Sequence, residues 1–341
     1  MTFRLASIAL TLALAAGLLA LPTASRAVDR VVVTQSSNVV MWTPMYVARK
    51  LGYFKDEGID LEVVVVKSGP DALAAVTAGS AQISMGFPAT PIRAVEKGHK
   101  ARIFAALTNQ FIGELMLRGD VAKRLNITDA TTMDERLRKL KGLTISTNGA
   151  GSAADYLLQS IIRGAGMKPD TDVTITPIAG DAPTLAALEL KRIDGFMTSP
   201  PTNDIARKKF GAWQLIDFTR GEYKPIDGIL YVSLNAEEKW LEANPELAAR
   251  VVRACARALK LLKDNPAAAK EAVRSFFPAM EAEMFDAAWA GMLPSFPATP
   301  RIQPDSIRGI VDFMGTMDGK PVKVDQDKVY TNRIVDLAER Q

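Results

Sequence analysis

Val31 to Met85 (VVVTQSSNVVMWTPMYVARKLGYFKDEGIDLEVVVVKSGPDALAAVTAGSAQISM) decides the reading of this chain, because its hydrophobic plan returns 112 residues later from Leu143 to Met197. The first copy runs strand (VVVT), polar loop (QSSN), helix (MYVARKL), strand (LEVVVV), helix (DALAAVTAG), strand (QISM). The second runs LTIS, TNGAG, DYLLQSII, VTITPI, PTLAALEL and DGFM without a gap. Few positions are identical, among them Gly52 with Gly164, Leu73-Ala74-Ala75 with Leu185-Ala186-Ala187, and Met85 with Met197. The repeat therefore lies in pattern: period-2 apolar runs alternate with 3.6-period ones. Strands that alternate with helices return to their sheet through crossovers, so each copy is expected to be a parallel α/β unit. Two such units predict two similar lobes facing each other across a cleft.

The first lobe should run from 28 to 114 and resume from 230 to 341, with the second lobe, 115–229, inserted between. The chain crosses near Leu115 and returns through the apolar, β-favouring stretch Ile229 to Leu234, and two crossings make a hinge. Pro44 opens the first helix, Gly52 follows its end, and Gly58 permits the turn into the next strand. Asn244-Pro245 and Asn265-Pro266 each set a capping side chain before a proline at a helix start. The helix AARVVRACARALKLL is expected to pack back on the first lobe.

Residues 1–27 stand apart. Arg4 precedes an apolar run from Leu5 to Leu21, and Ser25-Arg26-Ala27 supplies the small residues of a signal-peptidase site, so this segment reads as a signal peptide cleaved near Ala27. The apolar run is short for a membrane anchor and is interrupted by Thr11 and Gly17. No cysteine near the cleavage site could carry a lipid, and a soluble periplasmic product is expected. Removing Arg4 and Arg26 leaves 40 basic residues against 38 acidic ones, a near-neutral balance with no basic run that would track a phosphate backbone, so nucleic acid is not an expected partner.

The chain has one cysteine, Cys255, and one histidine, His99. Zinc sites built on these residues and Ser-His-Asp machinery lack raw material, so no metal site, cofactor or catalytic residue is expected. Cys255 sits in a helical apolar pattern and reads as a buried structural thiol.

Pro44 to Val66 (PMYVARKLGYFKDEGIDLEVVVV) resembles the first strand-helix-strand unit of the substrate-binding proteins of ABC importers in the nitrate, sulfonate and taurine group, which includes binders of thiamine-pyrimidine precursors. GPDALAAVTAGSAQISMG, LKGLTISTNGAGSAADYLL and LELKRIDGFMTSPPTNDIA are similar to later segments of that family in order and spacing. The resemblance implies a type II periplasmic binding fold of two α/β lobes joined by two crossing strands. It also implies a monomer that captures a small organic anion, sulfonate- or carboxylate-like, or a heteroaromatic solute, and delivers it to a membrane permease. Two other classes remain in view: an enzyme like the pyrimidine-precursor synthases, which resemble a cysteine- and histidine-dependent design, and a ligand-sensing partner of a membrane receptor.

Ligands of open α/β sheets collect beyond the carboxyl ends of the strands, where helix N-termini present unpaired N–H groups. In the first lobe the expected ligand-binding residues at these loops are Asn38, Trp42, Gly69, Phe87, Thr90 and Asn109; in the second they are Asn148, Gly149, Gly151, Ser152, Asp181, Ser199 and Pro200. TNGAGS is the sharpest signal: its glycines allow close backbone approach, and Ser152 can cap the helix while neighbouring N–H groups face an anion. Trp42 is weighed as an aromatic wall against lobe packing, and Asp181 as a partner for a ligand amine or hydroxyl against a helix cap. No arginine falls inside these loops, which argues against a tightly salt-bridged dianion.

Overall fold

The computed structural model describes residues 28–36, 40–200, 202–278 and 280–340; the expected signal peptide and the candidate Asn38 lie outside the described residues. Strands β1 (Asp29–Gln35), β2 (Ile59–Val65), β3 (Ile83–Gly86) and β4 (Ala101–Thr108) belong to one sheet. Strands β5 (Glu114–Leu117), β6 (Thr144–Thr147), β7 (Thr174–Pro177), β8 (Gly195–Thr198) and β9 (Trp213–Asp217) form the other, and β10 (Val232–Glu237) rejoins the first. The orders are β2-β1-β3-β10-β4 and β7-β6-β8-β5-β9. The same plan is thus executed twice, and in each sheet one antiparallel strand, delivered by a crossing, is wedged between the third and fourth strands.

The 112-residue offset survives in three dimensions. β3 and β8 are displaced by 112 at both ends, as are the helices Gly69–Thr77 and Asp181–Glu189. The parallel pairings β1 with β2 and β6 with β7 match the crossover expectation. What the periodicity did not supply was the direction and position of β5 and β10, since both depend on where a crossing chain meets the opposite sheet.

Local chemistry explains the ends of the elements. Ser68 and Ser152 accept the backbone N–H groups of Asp71 (3.2 Å) and Asp155 (3.1 Å), each capping its helix. Asn265 caps the Ala268 N–H at 3.1 Å, as expected. Asn244 does not cap: its side-chain amide donates backward to the Trp240 carbonyl at 3.0 Å, because a preceding helix ends there and offers an orphan acceptor.

The helix Pro245–Asp264 packs on the first-lobe helices Thr43–Lys50 and Tyr53–Asp56 and on Arg333–Glu339, with Val251, Val252, Cys255 and Leu259 buried. Its polar edge grips the Tyr53–Gly58 turn. Arg250 donates to the Glu57 carbonyl at 2.7 Å, Arg253 forks onto the Glu57 carboxylate at 2.8 and 3.1 Å, and Arg257 lies 4.0 Å over the Tyr53 ring. That turn needs φ of 75° at Gly52 and 68° at Gly58, which glycine supplies without strain.

The crossings are residues 109–113, between β4 and β5, and 218–231, between β9 and β10. They are bonded to each other. Phe218 N–H donates to the Gly113 carbonyl (3.1 Å), Gly113 N–H donates to Thr219 Oγ1 (3.0 Å), and the Gln110 side chain donates to the Phe218 carbonyl while accepting the Gly228 N–H at 2.9 Å. Phe111 packs on Phe218 and Tyr231 with ring centroids 5.4 and 4.6 Å apart. The two crossings are thus tied to each other by backbone and side-chain bonds and by ring packing.

Candidate functional site

Because β5 and β10 run antiparallel to their neighbours, the crossings enter at the carboxyl ends of the parallel strands, and the loops of both lobes open onto the space beside them. Phe87 follows β3 and lies 6.4 Å from the ring of Tyr156, which stands on the second-lobe helix Ala153–Gly164. The Phe87 ring also meets Tyr231 of the return crossing at 5.9 Å. Thr90 and Gly69 touch: a Cβ on Gly69 would stand 3.3 Å from Thr90 Oγ1, so glycine lets these two loops close up. Phe87, Thr90 and Gly69 thus make one wall of the first lobe, and Tyr156 with the Gly149–Ser152 loop faces Phe87 from the second.

The Ser152 loop is built as the sequence suggested but is already occupied. Gly149 and Gly151 have φ of 147° and 73°, and Ser152 caps the helix. The buried Asp155 carboxylate, however, accepts the Gly151 N–H at 2.9 Å and the Gln159 amide at 3.2 Å. A resident carboxylate thus takes up positive potential that an anionic ligand would use. Asn148 is exposed beside it.

Asp181 is neither free nor a cap. Gly180 holds the cap position without a side chain, and Asp181 accepts the Thr202 hydroxyl at 2.5 Å. Ser199 is buried and donates to the Ile112 carbonyl at 2.6 Å, tying the end of β8 to the first crossing. Asn109 gives its N–H to the Ser295 carbonyl at 2.9 Å, while its own Oδ1 and the buried hydroxyls of Thr108 and Ser295 have no partner. Buried polar groups without partners are costly, and a cluster of them marks a place for water or for a ligand's donors. Trp42 is 3 % exposed within the first-lobe core, so packing is its main role.

Pro200 lines a crevice of about 840 Å³ between the lobes, with Gln110 and Ile112 of the first crossing on its floor and Ala288, Met292 and Pro294 of the first lobe opposite. Its second-lobe wall is charged. Glu114 and Asp217 stand directly across from each other on β5 and β9, and Arg207 reaches Glu114 at 2.8 Å and Asp204 at 2.7 Å. Burial pushes the Glu114 carboxyl up to about 7 against the pull of Arg207, and burial likewise raises Asp204 and Asp217. One guanidinium is thus shared by two carboxylates, while Arg220, which also lines the crevice, is largely exposed and pairs with Asp217 at 3.3 Å.

Sequence reasoning missed Tyr156, Asp155 and the Glu114–Arg207–Asp204 network. Asp155 had a local signal, an acid three residues after a capping serine. The network had none, since its members come from the first residue of β5 and from a helix about 90 residues later.

Two α/β lobes of equal plan, a bonded double crossing and loops of both lobes on a shared cleft define the periplasmic binding protein fold. The chain belongs to the NMT1-like family, whose model matches residues 37–276. Similar solved structures include a protein of Bordetella bronchiseptica RB50, with 21% identity, a TM-score of 0.76, and 92% of this chain and 97% of that one covered. Another is the alkanesulfonate-binding protein SsuA of Xanthomonas axonopodis pv. citri bound to MOPS, at 15% identity and a TM-score of 0.68 over 90% of this chain and 100% of that one. The periplasmic nitrate-binding protein NrtA of Synechocystis PCC 6803 follows at 13% identity and 0.65, over 92% and 89%. A comparison with the curated proteins returns no match.

Proposed function

We propose that the chain is the solute-binding component of an ABC importer, exported through its 1–27 signal peptide to the periplasm, where as a monomer it encloses a small solute between a lobe of residues 28–114 with 230–341 and a lobe of residues 115–229. The observation that carries this reading is the doubled sheet order with two bonded crossings, since contacts from both lobes exist only when the hinge is closed and a solute that makes them shifts the population toward that state. The similarity to an alkanesulfonate-binding protein and to a periplasmic nitrate-binding protein supports capture of a small solute.

Between an organic anion and a heteroaromatic solute, the site favours the second. Arg207 is shared by two carboxylates, the Gly151 N–H is taken by Asp155, and the remaining groups are mainly aromatic rings and uncharged acceptors, with the exposed Arg220 as a weakly paired cation of the crevice lining. An enzymatic reading in the manner of the pyrimidine-precursor synthases needs a reactive thiol. Cys255 is fully buried and its thiol is pushed up to about 12, which supports binding over catalysis.

The test is a thermal-shift screen of the mature chain with pyrimidines, sulfonates, carboxylates and nitrate. A true ligand stabilises by about 2.7 kcal/mol at a hundredfold excess over Kd. Pyrimidine-type hits are expected; stabilisation by sulfonates alone would overturn the ligand assignment, and no hit in any class would overturn the binding assignment.

A further inference from the structure

The helix Pro304–Asp318 starts and finishes at the first lobe but does not lie on it alone. Before it, the Pro300 carbonyl accepts the Ala106 N–H of β4 at 2.8 Å. After it, Thr331 N–H donates to the Ile103 carbonyl at 2.9 Å, and Asn332 is bonded in both directions to the backbone of Ile302. The chain between these anchors makes an excursion whose main packing partner is the second-lobe helix Ala153–Gly164.

Three contacts fix the excursion. Arg163 of the second lobe donates to the Met317 carbonyl at 2.5 Å. One residue on, Asp318 pairs with Arg93 of the first lobe at 2.5 Å, with both side chains about four-fifths buried, and Phe313 packs edge-on against Phe87 at 6.2 Å. The middle of the helix is pressed onto the return crossing: a Cβ on Gly309 would stand 2.7 Å from Ile229 Cγ2, too close for any other residue without movement. One helix therefore touches both lobes and the hinge.

The crevice edge is built differently. Ile112 and Gln110 of the first crossing face the crevice, whereas Phe111 between them packs toward Tyr231 and, through it, Phe87. The crossing thus separates the strap from the crevice. Across the crevice mouth the second-lobe Lys208 meets Glu283 at 3.2 Å and Glu281 at 3.8 Å, all three side chains being more than half exposed. Exposed ion pairs of this kind contribute little and break readily.

We propose that Pro304–Asp318 is a strap that holds the lobes together along the Phe87–Tyr156 side, so that the cleft opens asymmetrically, by separation of the lobes at the Lys208–Glu283 edge. The strap keeps the Ser152 loop facing the Phe87–Thr90 wall in the empty protein, and half of the site is preformed while the other half gates entry. This goes beyond solute capture, and its test needs no ligand.

Spin-label distances in the ligand-free, Cys255→Ala chain decide it. One pair, Lys97→Cys with Lys168→Cys, spans the strap side; a second, Lys209→Cys with Ala290→Cys, spans the crevice. The strap pair is expected to give one narrow distribution and the crevice pair a broad or two-peaked one. Arg93→Ala with Arg163→Ala should then broaden the strap pair toward the width of the crevice pair. Equal widths at the two edges, a broader strap pair, or a strap pair unchanged by the double substitution would each overturn the proposal. If the double substitution prevents folding, the comparison of the two pairs in the otherwise unaltered chain still decides.

Discussion

Replacing Glu114 by glutamine isolates the electrostatics of the crevice. The Glu114 side chain is 14% exposed, bonded to Arg207 at 2.8 Å, and flanked by Asp204 and Asp217, which raise its proton affinity further. Its carboxyl titrates at about 7 in the folded chain against an ordinary value of 4.5. Between those two values the folded chain binds more protons than the unfolded one, so the contribution of Glu114 to stability is fully present below 4.5 and is lost as pH rises toward 7. At 1.36 kcal/mol per unit, the whole loss is about 3 kcal/mol. Glu114→Gln cannot ionise and escapes it. The stability of the variant minus that of the unaltered chain, from urea unfolding at pH 4.5 to 8, should therefore climb by about 3 kcal/mol and level off above pH 7, while Asp204 and Asp217 titrate in both proteins and largely cancel. Unfolding curves that shift in parallel with pH, or a difference that falls as pH rises, would refute the assignment of a buried, under-compensated carboxylate.

Trp42→Ala should cost about 3 to 5 kcal/mol of stability, as a fully packed aromatic does, and lower the melting temperature accordingly; a melting temperature close to that of the unaltered chain would move Trp42 out of the core. Ser152→Ala should cost about 1 kcal/mol through loss of the Asp155 N–H cap, measured by urea unfolding, and Ser152→Thr should restore most of it. The thiol of Cys255 should resist an aromatic disulfide reagent in the native chain and react at once in denaturant; fast native reaction would contradict its burial.

The doubled architecture was legible in the sequence because it is written in periodicity, and the offset of 112 holds at β3 and β8 and at the helices behind them. The loops at the strand ends followed from the same alternation, so Gly69, Phe87, Thr90, Gly151 and Ser152 could be named. Their partners could not. Asp155 takes the Gly151 N–H because the helix turn brings a carboxylate back over the loop, and Asp181 takes the Thr202 hydroxyl because two helix starts meet at the end of β8. Both are contacts between groups whose types were visible and whose meeting was not. Trp42 illustrates the same limit: a tryptophan in a loop was weighed as a ligand wall, yet the short 3-10 turn Val40–Trp42 folds it inward. The strap was the least legible feature, since Pro304–Asp318 reads as one more amphipathic helix until its neighbours are known.

The most direct test of solute capture at the seam of two lobes is a crystal structure of the mature chain with the strongest stabiliser from the screen. The account predicts that compound enclosed between the Phe87–Thr90 wall and the Tyr156–Ser152 side, touched by residues from both lobes. The same compound bound on one lobe alone, or on the outer face of either sheet, would contradict it.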